Sequence, residues 1–373
     1  MNFIFIKWGY MEEVIEREQN SLKLNTNFSV PSPLLEKTDL SKYNIKYIVL
    51  AVNNLGFNME RPAYETKLFG KTMVEWVKSA CDVNPLVLTV EENHDPIKTI
   101  KPFLDSSEWT VVLYSDTPLI TNATISKSFN YCVSKHLNVC KLPRGFIFKT
   151  EYVKRIEEVY ALETVDVSKT DFTQATDFLS LTKITEILKN RIYEFHLKNG
   201  VYIMDKNSVY IESDVSIASG TTIYPNNSIC GATEIGENVV LYSGNRILGS
   251  IIATEASLEN SSIVSSVIGE KCKIKNSSIG NDCLIKANCK IVDYASVKES
   301  VIDEECKIMG ATVKGSFINK NCKIYDGARL LGKNGNIVLQ NNVSIGENSV
   351  IGVACEIEEA KKIKPNTVII EGV

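Results

Sequence analysis

One stretch of this chain has the residue types and spacing to meet a phosphate: IVLAVNNLGFNMERPAYETKLFGKTM, from Ile48 to Met73. It begins as an apolar strand, passes through a polar turn and heads for a helix after Lys71. Where strands and helices alternate, such a turn is where a nucleotide phosphate rests, because backbone N–H groups and the following helix start point at an anion. The candidate contacts are Asn53, Asn54, Gly56, Asn58, Arg61 and Lys67. The turn holds a single glycine, Gly56, and little positive charge, so its chemistry is thin for a phosphate loop. Proton transfer would require a titratable base, and the three histidines, His94, His136 and His196, all precede residue 200.

The elements that must position these residues fall into two kinds. Tyr47 to Val52 (YIVLAV), Pro85 to Val90 (PLVLTV) and Thr110 to Tyr114 (TVVLY) are near-continuous apolar runs. They read as buried parallel strands covered by helices on both faces. MVEWVKSA places Met73, Trp76, Val77 and Ala80 at helical spacing, and a second helix is expected from Ile97 to Leu104. This alternation predicts a doubly wound α/β domain that binds ligands at the carboxyl ends of its strands. Residues 1–44 form an N-terminal extension, with a short amphipathic helix at MEEVIEREQNSLKL and a linker near NFSVPSPLLEK.

Beyond a linker helix at 181–208, the pattern changes to a six-residue ladder. Ile211, Ile217, Ile223, Ile229, Ile235 and Leu241 keep one period, with Val209, Val215, Thr221, Asn227, Thr233 and Val239 two residues earlier. The ladder continues to Ile363, with some five-residue steps such as Ile263 to Ile268 and Ile274 to Ile279. Period-six repeats of this kind predict a solenoid of triangular coils over 209–373, about nine coils of roughly 18 residues each. Cys272, Cys283, Cys289, Cys306, Cys322 and Cys355 each stand two residues before a ladder isoleucine, where a small buried hydrophobe fits. No C-x2-C pair occurs, so they read as packing rather than as metal ligands.

Composition narrows the function classes. The net charge of −4 carries no basic excess for nucleic acid. No run of 18 apolar residues suggests a membrane span. The opening MNFIFIKWGY lacks a basic start and a cleavage site, and ten cysteines without paired spacing suit a reduced, cytoplasmic setting.

An α/β domain over 45–180 joined to such a solenoid resembles the bifunctional N-acetylglucosamine-1-phosphate uridylyltransferase/glucosamine-1-phosphate acetyltransferase family. The closest likeness is at the junction, KITEILKNRIYEFHLKNGVYIMDKNSVYIESDVSIASGTTIYPNNSICGATEIG, and it covers roughly residues 45 to 360. The resemblance implies a nucleotidyltransferase-like domain, a left-handed parallel β-helix and a homotrimer assembled through that helix. It also implies a nucleotide or sugar phosphate as ligand, with Mg2+ as cofactor if catalysis or nucleotide binding is retained. Asp116, ending VVLYSDTPLIT, is similar to the family's metal-binding aspartate. Asp177, in QATDFLSL, stands near the place of a second ligand, an asparagine.

The departures lie where the chemistry would be. The family's loop has the form L-A-A-G-x-G-T-R-M followed by P-K. Here Leu50 to Met59 is one residue longer, Asn58 stands at the arginine and Ala63 at the lysine, while Leu68, Gly70, Lys71 and Met73 still match. Arg61 and Lys67 are the cations left to substitute, at a different spacing. Phosphoryl transfer depends on positioning and electrostatics, and one well-aimed donor is worth about 3 to 4 kcal/mol of the barrier. The segment ENHDPIKTIKPFL replaces a base-recognising Gly-rich stretch, LPRGFIF only loosely matches the sugar-binding strand, and the acetyltransferase's histidine has no counterpart in the solenoid. Two readings stay open: a relative that binds with weak or no catalysis, and an active sugar-1-phosphate nucleotidyltransferase, similar to UDP-N-acetylglucosamine pyrophosphorylase, with altered loop chemistry. Acetyl transfer by the family's mechanism is expected to be lost.

Overall fold

The computed structural model describes residues 40, 42–53, 57, 61–158, 164–332, 337–352 and 354–370. They form two units that divide between Ile192 and Tyr193. No helix among the described residues is long and apolar enough to cross a membrane. Most of the 1–44 extension, with its expected helix, lies outside the described residues, as do Asn54, Gly56 and Asn58.

The first unit is built on a five-stranded sheet. Its strands are β1 (Ile45–Asn53), β4 (Leu86–Glu91), β5 (Trp109–Tyr114), β6 (Val139–Leu142) and β7 (Gly145–Lys149), in the order β4-β1-β5-β7-β6. A small ribbon of β2 (Lys67–Leu68) and β3 (Lys71–Thr72) follows the candidate phosphate turn. β1 pairs in parallel with both β4 and β5, so its IVLAV run is flanked by strands on both sides and is buried throughout. Helices cover both faces. Val77 and Ala80, at the end of helix α1 (Met73–Ser79), pack on one side with Ile125, Phe129 and Cys132 of α3 (Asn122–Ser134). Ile97 and Ile100 of α2 (Pro96–Ile100) pack on the other with Val153 of α4 (Thr150–Arg155).

Local sequence explains where these elements start. Thr72 and Glu75 form a capping box at α1: Glu75 N donates to Thr72 Oγ1 at 3.2 Å and Thr72 N to Glu75 Oε2 at 2.7 Å. Asp95 caps α2 ahead of Pro96, whose missing N–H costs nothing at that position. One expectation is corrected. β4 is not a buried strand; it lies at the sheet edge, and Leu86 and Val87 are each 36% exposed. Its apolar run resembles that of β1, but only β1 has a neighbour on both sides. β6 and β7 add an antiparallel hairpin to the parallel core.

The second unit contains the solenoid, entered from helix α5 (Phe178–Lys198) through Gly200, which turns the chain at φ +82°. Its first strand is Tyr202–Ile203, ahead of the regular ladder. Three parallel sheets of nine, ten and ten strands make the faces of the triangular coils. Ladder residues stack in register from coil to coil, as in Ile235, Ile252, Ile268, Ile285 and Ile302, and all of these are fully buried. The five-residue steps keep this register because the corners absorb the missing residue. Asn260, Ser265, Asn276, Glu299, Gly310 and Gly315 each turn a shortened corner at positive φ. Asparagine tolerates that conformation through its short polar side chain, and glycine through having none. The buried thiols of Cys272, Cys289 and Cys306 point to carbonyls of the next coil, at Lys286, Asp303 and Asn319 (3.0–3.1 Å).

Candidate functional site

Three strand ends meet at the carboxyl edge of the first unit's sheet. Asn53 closes β1 opposite Glu91 of β4, and Ser115 follows β5, where its N–H donates to the Leu50 carbonyl and its Oγ accepts from Val52 N. These bonds fix the backbone on which Asp116 sits. The Asp116 carbonyl in turn accepts from Ala175 N at 2.8 Å, bringing the segment that leads to Asp177 against the same edge.

Asp116 is buried, its side chain 5% exposed, and its carboxylate faces a guanidinium rather than open space. Arg144 donates through Nη2 to Oδ2 at 2.8 Å and through Nε to Oδ1 at 3.3 Å, a two-pronged pair that engages both oxygens. The same guanidinium lies 4.0 Å from the centre of the Tyr114 ring. Burial pushes the Asp116 carboxyl above the usual range, while the Arg144 charge pulls in the opposite direction.

Arg144 reaches this position because of its neighbour. Gly145 opens β7 at φ +128°, and a Cβ there would stand 2.4 Å from the Val112 carbonyl oxygen of β5. Only glycine lets the β6–β7 turn approach β5 so closely, and that approach carries Arg144 to Asp116. Sequence reasoning missed this arginine. The available signal was a Pro-Arg-Gly turn between two apolar strands, LPRGFIF, read only as a weak likeness to a sugar-binding strand.

His94 is a second unforeseen feature. Its Nδ1 faces the Glu91 carbonyl at 2.7 Å and therefore carries the proton. Its Nε2 is buried and without a hydrogen-bond partner, and the ring lies 5.7 Å from Tyr114.

The residues singled out from sequence are dispersed. Asp177 is exposed and acts as the cap of α5, where Oδ1 accepts from Ser180 N at 2.7 Å, a bond that holds its carboxyl below the usual range. Arg61 and Lys67 are exposed, and neither bonds to Asp116 or Asp177 among the described residues. A groove of about 320 Å3 lined by Asn44, Lys46, Asn84 and Asp105 lies at the opposite, amino-terminal end of β1 and β4, away from these groups.

Magnesium needs a carboxylate with a free lone pair within a near-octahedral set of oxygens. Both Asp116 oxygens accept from Arg144, a cation that does not deprotonate, so the carboxylate charge is already offset and its remaining lone pairs attract a divalent ion only weakly. No cluster of three acidic, histidine or cysteine ligands occurs among the described residues. As arranged, these residues do not fit a bound divalent cation. They form a closed internal ion pair at the place where a phosphate-bridging metal would be expected.

Comparison with known proteins follows the same division. Residues 242–311 match the family model described as GlmU-like, C-terminal hexapeptide. The bifunctional protein GlmU of Clostridium kluyveri is 34% identical over 196 residues, covering 52% of this chain and 42% of that protein. The GlmU of Clostridioides difficile is 26% identical over 354 residues, 73% of this chain and 75% of that protein. The strongest matches thus span less than half the length of the relatives they involve.

Proposed function

We infer that this chain, a divergent member of the GlmU family, binds a nucleotide or sugar phosphate through its α/β unit with weak or no turnover. The observation that carries this reading is the Asp116–Arg144 pair. Nucleotidyl transfer requires charge to be neutralised on the phosphates as it develops. A carboxylate whose charge is offset by an internal guanidinium attracts a bridging cation weakly, and Asn58 and Ala63 supply no positive charge of their own. The strand-end edge, the unpartnered His94 Nε2 and the exposed cations of Arg61 and Lys67 are compatible with recognising a ligand without splitting it. In the solenoid, which has no histidine after residue 209, acetyl transfer by a histidine base has no candidate. Its role in this reading is assembly, as a homotrimer, in a cytoplasmic setting.

Two measurements test the proposal. Calorimetric titration with nucleoside triphosphate, with and without Mg2+, should give saturable binding that the metal changes little. Pyrophosphate release from nucleoside triphosphate plus a sugar 1-phosphate should stay at background. Release that Asp116→Ala abolishes would instead establish the second reading, an active nucleotidyltransferase. That reading draws support from the retained position of Asp116 at a strand end, and it requires Arg144 to let go of the carboxylate. Sedimentation giving a monomer would remove the trimer.

A further inference from the structure

The outward-facing residues of the solenoid differ between its three faces. On one face the residue before the ladder position is Lys273, Lys290, Lys307 and Lys323, directly opposite one another in four successive coils. Ser257 precedes this column and Ser344 follows it, so the four lysines form a bounded row. Lys273, Lys290 and Lys307 are exposed and Lys323 is half-buried. The adjoining column, one residue beyond the ladder isoleucines, begins with Lys275, held by Glu259, and continues through the uncharged Val292, Met309 and Tyr325. On the other two faces the positions equivalent to the row hold Ser278, Ser296 and Thr312, or Ile251, Val267 and Leu284.

Like charges in facing positions on a sheet repel, and at a strand spacing of about 4.8 Å the backbone gives them no room to separate. The ion pairs of the same coils, Lys286–Asp303, Lys314–Glu299 and Lys320–Glu304, engage other lysines. None of the four in the row pairs with an acid among the described residues. The row is thus an uncompensated positive stripe on a chain whose net charge is −4. A second copy of this face would add repulsion, and a long polyanion would meet the net negative remainder of the chain. A short acidic segment is what the charge pattern fits.

Spacing selects the conformation of that segment. From Lys273 to Lys323 the row measures about 14 Å. Carboxylates at i, i+4, i+7 and i+11 of an α-helix span about 16 Å, and the flexible lysine stems absorb the difference. Four acids at alternate positions of an extended strand would span about 20 Å and miss the end lysines. Val292, Met309 and Tyr325 give the helix's neighbouring apolar residues a surface without charge.

We propose that the row from Lys273 to Lys323 docks a partner protein through a helix that carries an acidic stripe at i, i+4, i+7 and i+11. The row belongs to the solenoid alone, so this surface is independent of nucleotide binding by the α/β unit.

Fluorescence anisotropy with the full chain tests it. The probe is a fluorescein-labelled, Ala/Gln-based helical peptide with glutamates at those four positions, and its control is a permuted peptide of the same composition with the glutamates spread around the helix. The striped peptide should bind saturably and about tenfold more tightly than the permuted one, with affinity falling as salt rises. Lys290→Glu with Lys307→Glu should weaken it about tenfold or more, the far-UV circular dichroism of the coils staying intact. Lys298→Glu with Arg329→Glu, the same charge change at exposed positions on another face, should leave binding unchanged. Equal affinity for the two peptides, or equal loss in the two double variants, would overturn the proposal. Tighter binding of inorganic polyphosphate than of the striped peptide would overturn it too, by assigning the row to a phosphate polymer.

Discussion

Arg144→Met is the sharpest test of the ion pair at the sheet edge. The change keeps the aliphatic stem and removes the charge. Asp116 is then left with a carboxylate that is 5% exposed and has lost both guanidinium bonds. Breaking a buried pair from one side typically costs about 3–5 kcal/mol, because the remaining charge is stranded. Loss of the guanidinium over Tyr114 adds about 0.5–1 kcal/mol. The reverse change, Asp116→Asn, should be milder, at about 1–2 kcal/mol, since Arg144 is 28% exposed and can turn to water.

The pH dependence follows from the direction of the Asp116 shift. A carboxyl whose folded value lies above its unfolded one costs stability only when ionised. The cost is absent below the unfolded value near 4 and grows as pH rises through the folded value. Removing Arg144 raises the folded value further, so the deficit of Arg144→Met should widen from about pH 4 to pH 7. Urea unfolding followed by tryptophan fluorescence reads this unit through Trp76 and Trp109, which are buried in it, once the third tryptophan of the chain is replaced by Trp8→Phe in every variant compared. A larger loss for Asp116→Asn than for Arg144→Met, or a deficit independent of pH, would refute the reasoning.

Three further outcomes are expected. His196 is fully buried with both ring nitrogens unpartnered, and burial lowers its pKa to about 4 from 6.5. Its contribution is intact above pH 6.5 and is lost as pH falls toward 4, at a cost of about 3 kcal/mol; His196→Leu should flatten that acid limb in unfolding monitored by circular dichroism. Of the ten thiols only Cys230 is partly exposed, so the native protein should release about one equivalent to Ellman's reagent and ten after denaturation. Thr72→Ala removes the α1 capping box and should cost about 1 kcal/mol in the same urea assay used for Arg144→Met.

The two halves of the chain were not equally legible. The solenoid could be read because each ladder isoleucine meets the same environment one coil later, so a local period carries long-range information. Even its five-residue steps were visible, although only the positive-φ corners explain why they do no harm. β1 and β5 were recognisable from their apolar runs, whereas β4 was misjudged because an edge strand can carry the same run as a central one. Asp116 was singled out by its likeness to the family's strand-ending aspartate. Its partner was not, since Arg144 is 28 residues away and arrives through the close approach that Gly145 allows. Pairings of that kind depend on how strands meet and leave little trace in spacing.

The stacking of the coils also has a mechanical consequence. Each strand bonds to the equivalent strand one coil away, so the hydrogen bonds of all three faces run along the solenoid axis. Tension applied to the chain ends along that axis passes through every coil, but at the outermost strand it falls on a few bonds, whereas deeper coils share it over all three faces. Extension should therefore proceed by peeling, one coil at a time, each releasing about 60 Å of chain at roughly 3.4 Å per residue. Force directed across the axis meets backbone covalent bonds in every strand, which makes the solenoid stiff in width and weakest along its length.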